Sequence, residues 1–253
     1  MPRSVLPRER RLSRAEAELE ACLARARSNP AEEPAFFRRL LRATVYTHAP
    51  ASDDSGKIRL VQFRHPDGFD AIPFFTSLGK AQAAGSAAVR ILNLSGRDLL
   101  AGTRGAILML NPNDGGAVLY PEEIAALLDS GVLARVEKNE HDGLQVRPAQ
   151  AAPAWLVSTL TACLQSAAFV SAAYLLETNP TPAWTQRPGL LICLVAEPVF
   201  AERAARLVGC AIQPMCSAHA PIIDVVIHDI HAPMPAYLVQ TDVVPFFNRA
   251  PAA

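Results

Sequence analysis

The segment from His219 to His231 reads HAPIIDVVIHDIH, with Cys210 and Cys216 just upstream. Imidazole, carboxylate and thiolate are all good zinc ligands. Strand alternation limits the set: Asp224 and His228 share one face, Asp229 points to the other, and His231 lies past the strand end. The segment is therefore expected to be a sheet strand with polar residues on its solvent face, and neither a metal nor a cofactor is expected. Cys216, in a polar loop beside His219, is the thiol best placed for activation, which requires a lowered pKa. A pocket drawing on Cys216, His219, His228 and His231 is the catalytic alternative.

A second stretch with chemical potential is FFTSLGKAQAAG, Phe74 to Gly85. A catalytic serine needs a neighbouring base and an orienting acid. A nucleophile elbow would read G-x-S-x-G, whereas this stretch reads F-T-S-L-G. Thr76 or Ser77 is instead expected to cap a helix that carries Leu78 and Ala81 and ends at Gly85. Gly102 to Gly105 lacks the G-K-[S/T] of a phosphate loop, and no G-x-G-x-x-G follows a strand. No catalytic residue is assigned. Trp155, Trp184, Tyr237, Phe246 and Phe247 all fall in the second half of the chain. Aromatic side chains on exposed loops are typical interface anchors, so Trp184, Tyr237, Phe246 and Phe247 are the candidate partner contacts, core filling being the plainer account.

The elements that must position these residues follow from local rules. Ser13 and Glu16 form a capping box ahead of a stripe of Ala15, Leu19, Cys22, Leu23 and Ala26. A second helix follows Asn29-Pro30, with Pro34 in its first turn and Phe37, Leu40 and Leu41 as its buried face. Strands are expected over Thr44–His48, Ile58–Phe63 and Phe69–Phe75, the last two joined by a hairpin at Asp67-Gly68. Ala88–Leu94, Ala106–Leu110 and Ala117–Tyr120 read as further strands. Ser95 and Pro121 open helices, and Asn111 and Asn113 suit left-handed turn positions. Residues 136–152 read as a linker. Beyond it come a helix bearing Leu156, Leu160 and Leu164, strands at Val170–Glu177, Leu190–Ala196 and Ile222–Ile230, and a helix opened by Pro198. A last strand is expected over Tyr237–Val239.

Half of the 253 residues are apolar and 19% are charged, so a substantial core can form. Lys and Arg total 24, as do Asp and Glu, which removes any general attraction to nucleic acid or anionic membranes. The five cysteines are odd in number and widely spaced, as for reduced thiols in a cytoplasmic protein. The first dozen residues, rich in Arg, read as a mobile basic arm without the apolar centre of a secretory signal. An acidic partner or nucleic acid for that arm is a third, weaker reading. No apolar run approaches the roughly 18 residues of a membrane helix.

Three stretches together resemble a known family: FFRRLLRATVYTHAP, AIPFFTSLGKA and GAILMLNPNDGGAVLYPEEIAALL. They are similar to the N-terminal domain of the SseB family, the "enhanced serine sensitivity" proteins of bacteria. The matching features are Phe75-Thr76-Ser77, Leu110-Asn111-Pro112 and Pro121-Glu122-Glu123-Ile124. The chain from about Pro153 resembles the family's C-terminal domain more loosely. The resemblance implies no catalytic residues, since the family is named for a growth phenotype. The expectation is thus an α+β protein with two small mixed sheet-and-helix domains in tandem: an arm over 1–12, an N-terminal domain over 13–135, a linker over 136–152 and a C-terminal domain over 153–253. The leading functional expectation is a non-catalytic, cytoplasmic interaction or scaffold module that binds a protein partner or itself. The alternative is an enzyme or small-ligand binder in serine or sulfur metabolism using an inter-domain pocket.

Overall fold

The computed structural model describes residues 12–52, 58–131, 133, 145–150, 152–179, 188–215 and 222–249. The chain forms two compact units, Met1–Leu133 and Ala134–Ala253, each with its own sheet. The fold class is α+β.

In the first unit, α1 (Arg14–Ser28) opens with the Ser13–Glu16 capping box and buries Leu19, Leu23 and Ala26 along one stripe. Helix α2 (Glu33–Arg42) has Pro34 in its first turn and buries Phe36, Leu40 and Leu41. Phe37, expected in that set, is only partly buried against the same core. The strands are β1 (Thr44–Pro50), β2 (Phe63–Arg64), β3 (Asp70–Phe75), β4 (Val89–Ser95), β5 (Ile107–Leu110) and β6 (Ala117–Leu119). Helix α3 (Leu78–Ala84) links β3 to β4, α4 (Gly96–Gly102) links β4 to β5, and α5 (Pro121–Asp129) follows β6.

The sheet order is β4-β1-β3-β5-β6, with β2 beside β3. β3 and β5 run parallel, aligning Phe74 with Leu110, and the other pairs are antiparallel. Alternation along β5 sends Leu108 and Leu110 to the helix-covered core and Ile107 and Met109 to a smaller cluster with Phe69 and Ala71. The expected strand over Ile58–Phe63 is largely absent. Val61 N–H donates to the His48 carbonyl, but the ladder begins only at Phe63, opposite Ala71.

In the second unit, β7 (Gln145–Pro148), β8 (Val170–Asn179), β9 (Gly189–Ala196), β10 (Ile223–Asp229) and β11 (Phe247–Asn248) form a sheet of order β10-β9-β8-β11, β7 also pairing with β8. Helices α6 (Ala154–Ser166) and α7 (Ala201–Ile212) cover one face, packing Leu156, Leu160, Leu164, Leu207 and Val208 against Val170, Ile192 and Leu194. The other face holds Leu176, Leu191 and Cys193, capped by Leu238 of α8 (Ala236–Thr241). Two expectations differ here. Gln145–Pro148, read as linker, adds a strand to β8. Tyr237–Val239, read as a strand, lies in α8, which starts after extended Pro235 and ends at Asp242 in the left-handed region, φ 49°.

Candidate functional site

The parallel strands β3 and β5 end side by side, and the motif residues Thr76, Ser77 and Asn111 follow them directly. Asn111 sits at φ 45°, a backbone region Asn tolerates better than most residues. Its N–H donates to the Phe74 carbonyl at 2.8 Å. Its side-chain Oδ1 accepts from Thr76 N–H at 3.1 Å, and its Nδ2 donates to Thr76 Oγ1 at 2.9 Å. The Thr76 hydroxyl in turn donates to the Glu20 carboxylate of α1. Glu20 Oε2 and Asp114 Oδ2 each lie 2.7 Å from the Lys80 ammonium. The Lys80 contact holds the Asp114 carboxyl below its ordinary range.

Ser77 takes the cap of α3, accepting from Lys80 N–H at 3.3 Å. Beside it, Glu16 accepts from Leu78 N–H at 2.9 Å and from Ser13 N–H at 2.8 Å. Burial pushes the Glu16 carboxyl up, but donations from Leu78, Ser13 and Tyr46 outweigh it and hold the carboxyl at about 2. Chemically this cluster is closed. Thr76 is fully buried with its donor and its acceptor engaged, and Lys80 has no lone pair to attack with while it donates to two carboxylates. Buried His48 donates from Nε2 to the Ala81 carbonyl at 2.8 Å, which fixes the ring without exposing it. The cluster joins α1, α3 and the ends of β3 and β5 into one polar lock.

The aromatic and histidine candidates of the second unit are dispersed. Tyr237 is half-buried on α8, and its hydroxyl donates to Cys193 Sγ at 3.5 Å. Burial raises the Cys193 thiol above its ordinary value despite that bond, the opposite of what a reactive cysteine needs. Phe246 and Phe247 pack partly buried against the unit's own helical core. Arg249 lies 5.5 Å from the Phe247 ring centre and donates to the carbonyls of Leu164 and Ala167, at the C-terminal end of α6. His228 is half-exposed on β10 and donates to the Ala232 carbonyl at 3.3 Å. His231 lies in the following turn, its N–H on Asp229 Oδ1 at 2.9 Å. Trp184, Cys216 and His219 lie outside the described residues. Among the described residues no three metal-binding side chains converge.

Two features escaped the sequence reading. One is Glu177, with only 2% of its side chain exposed; its Oε2 lies 2.8 Å from both Arg147 Nε and Arg147 Nη2, while Oε1 accepts from Gln150 N–H. A lone carboxylate inside the apolar run of β8 was the available signal. The other is the outer edge of β10. It is terminal in its sheet, pairing only with β9 among the described residues. It carries no Lys, Arg or Pro, and exposed Ile222 (74%) and Ile230 (44%) flank it. Other outer strands are shorter, as β6 and β11 are, or carry an arginine or proline, as Arg90 does in β4 and Arg147 and Pro148 do in β7, whereas the charges within β10 are Asp224 and Asp229.

No described helix is long and apolar enough to cross a membrane. Residues 19–126 match the SseB protein N-terminal domain, a span that includes Glu20, Thr76, Lys80, Asn111 and Asp114 but not Glu16. Protein SseB of Escherichia coli strain K12 and Protein SseB of Shigella flexneri are each 29% identical to the chain over 195 residues, covering 74% of this chain and 75% of theirs. No solved structure matches the chain at comparable significance. The motif residues at the ends of β3 and β5 thus lie inside the part of the chain that is similar to the SseB protein N-terminal domain.

Proposed function

We propose that the protein is a non-catalytic interaction module of the bacterial cytoplasm, and that its second unit supplies the partner surface. The observation that carries this reading is the β10 edge: seven strand residues paired on one side among the described residues, without Lys, Arg or Pro, between two exposed isoleucines. Such an edge is a template for pairing with another chain. The closed hydrogen bonding of the Thr76–Asn111–Glu20–Lys80 cluster supports the same reading, because the polar groups brought together by the family motifs are spent on one another.

Native mass spectrometry of the full chain, purified from its own host, tests this. The expected result is a co-purifying polypeptide, either a second copy or another chain, at fixed stoichiometry. A lone 27.2 kDa chain carrying a stoichiometric small molecule or metal at every concentration would overturn it.

A further inference from the structure

We propose that β10 is a self-association edge, at which two copies pair their Ile223–Asp229 strands antiparallel about Val226 to join two second-unit sheets into one. This rests on the interaction reading above and commits it to one partner, a second copy of this chain.

The phase of the strand sets the geometry. Leu190 N–H donates to the Ile222 carbonyl at 2.8 Å, and Ile230 N–H donates to the Ala196 carbonyl at 3.1 Å. Alternate residues of a strand turn both backbone groups to the same side. Ile222, Asp224, Val226, His228 and Ile230 therefore bond toward β9, while Ile223, Val225, Ile227 and Asp229 turn theirs outward. The side chains follow the same alternation. Ile223, Val225 and Ile227 pack on the helical core, and Val226 packs on the opposite cluster. Asp224 and His228 share Val226's face.

An antiparallel partner must set outward-turned residues against outward-turned residues. Centring the pair on Val226 does so along the whole strand. Ile223 meets the partner's Asp229, and Val225 meets the partner's Ile227; the Val225–Ile227 pairs exchange both backbone hydrogen bonds, while the Asp229 carbonyl already accepts from Ala232 N–H at 3.0 Å in the turn that ends the strand. Sliding by one such step leaves strand residues unmatched at each end. Between these lie the non-hydrogen-bonded pairs, where side chains approach most closely. They are Val226 with the partner's Val226, and Asp224 with the partner's His228. The same register brings exposed Ile222 abreast of the partner's Ile230. Carboxylate thus meets imidazole and isoleucine meets isoleucine, each twice, by the two-fold symmetry of an isologous interface. A strand of unrelated sequence would have to reproduce this pattern, whereas a second copy carries it.

Sedimentation velocity of the full chain across the micromolar range tests the proposal with four variants. Val225→Pro removes an outward N–H and leaves the bonds to β9 intact, so it is expected to abolish association while far-UV circular dichroism stays unchanged. D224H and H228D each destroy the two symmetric Asp–His pairs, weakening association about two- to thirty-fold. The swap D224H/H228D rebuilds both pairs with the partners exchanged and is expected to restore it. A dimer indifferent to Val225→Pro, or single charge variants that the swap fails to rescue, would overturn the β10 register while leaving the interaction reading intact. A monomer at all concentrations would also overturn it, and a co-purifying polypeptide of different sequence would then still uphold the interaction reading.

Discussion

Glu16 ties α1 to the start of α3, and its titration should be visible in the stability of the first unit. The carboxyl is held at about 2, against an ordinary value of 4.5, by donors from Leu78, Ser13 and Tyr46. A folded-state pKa below the unfolded one contributes stability that is fully present above about pH 4.5 and is lost as pH falls toward 2. The difference of roughly 2.5 units sets a ceiling of about 3 kcal/mol, and partial solvent screening lowers the expectation to about 2 kcal/mol. Glu16→Gln keeps the shape and an acceptor for the Leu78 N–H but removes the charge.

Urea unfolding of the two proteins from pH 7 to pH 2.5 reads the difference. Both tryptophans, Trp155 and Trp184, lie in the second half of the chain, so far-UV circular dichroism must be followed beside tryptophan fluorescence to isolate the first transition. The variant should be about 2 kcal/mol less stable at pH 7, and the two proteins should converge as pH approaches 2.5. Parallel pH profiles, with a constant gap or none, would show that Glu16 is not the tie described.

Other substitutions probe the same architecture. Asn111→Ala should cost about 2–4 kcal/mol, from both the left-handed backbone and the lost bonds to Thr76, whereas Asn111→Gly should recover only the backbone part, as measured by chemical denaturation. Gly96→Ala would place a Cβ 2.1 Å from the Leu40 carbonyl oxygen, where α4 meets α2, and should destabilise the first unit by about 1–3 kcal/mol in a thermal melt. Arg147→Met strands the buried Glu177 and should cost the second unit about 2–3 kcal/mol, most of it recovered in Arg147→Met/Glu177→Leu.

What could be read in advance was local. Ser13, Ser77, Ser95 and Pro121 each open the helix that capping chemistry assigns to them. The alternation of β10 places Val225 and Ile227 inward as expected. What could not be read depended on partners far along the chain. With Ser77 taking the cap, the Thr76 hydroxyl was left to reach Glu20, 56 residues away, and no spacing rule connects the two. Tyr237 was misread because α8 is only six residues long, bracketed by Pro235 and the left-handed Asp242, too short for a helical period to show in the sequence. Phe246 and Phe247 resemble exposed anchors in sequence, yet β11 lays them along β8 against their own core. The closed polar lock could be anticipated as punctuation but not as a network, because its members come from α1, α3 and two strand ends.

Backbone amide exchange along β10, recorded by NMR at low and high protein concentration, tests the central claim most directly. Asp224, Val226 and His228 donate to β9 and should be protected at every concentration. Val225 and Ile227 turn outward and should exchange quickly in the monomer, then gain protection as copies associate. That concentration-dependent alternation is the expected result. Fast exchange of Val225 and Ile227 at all concentrations, while association proceeds or does not, would contradict the account.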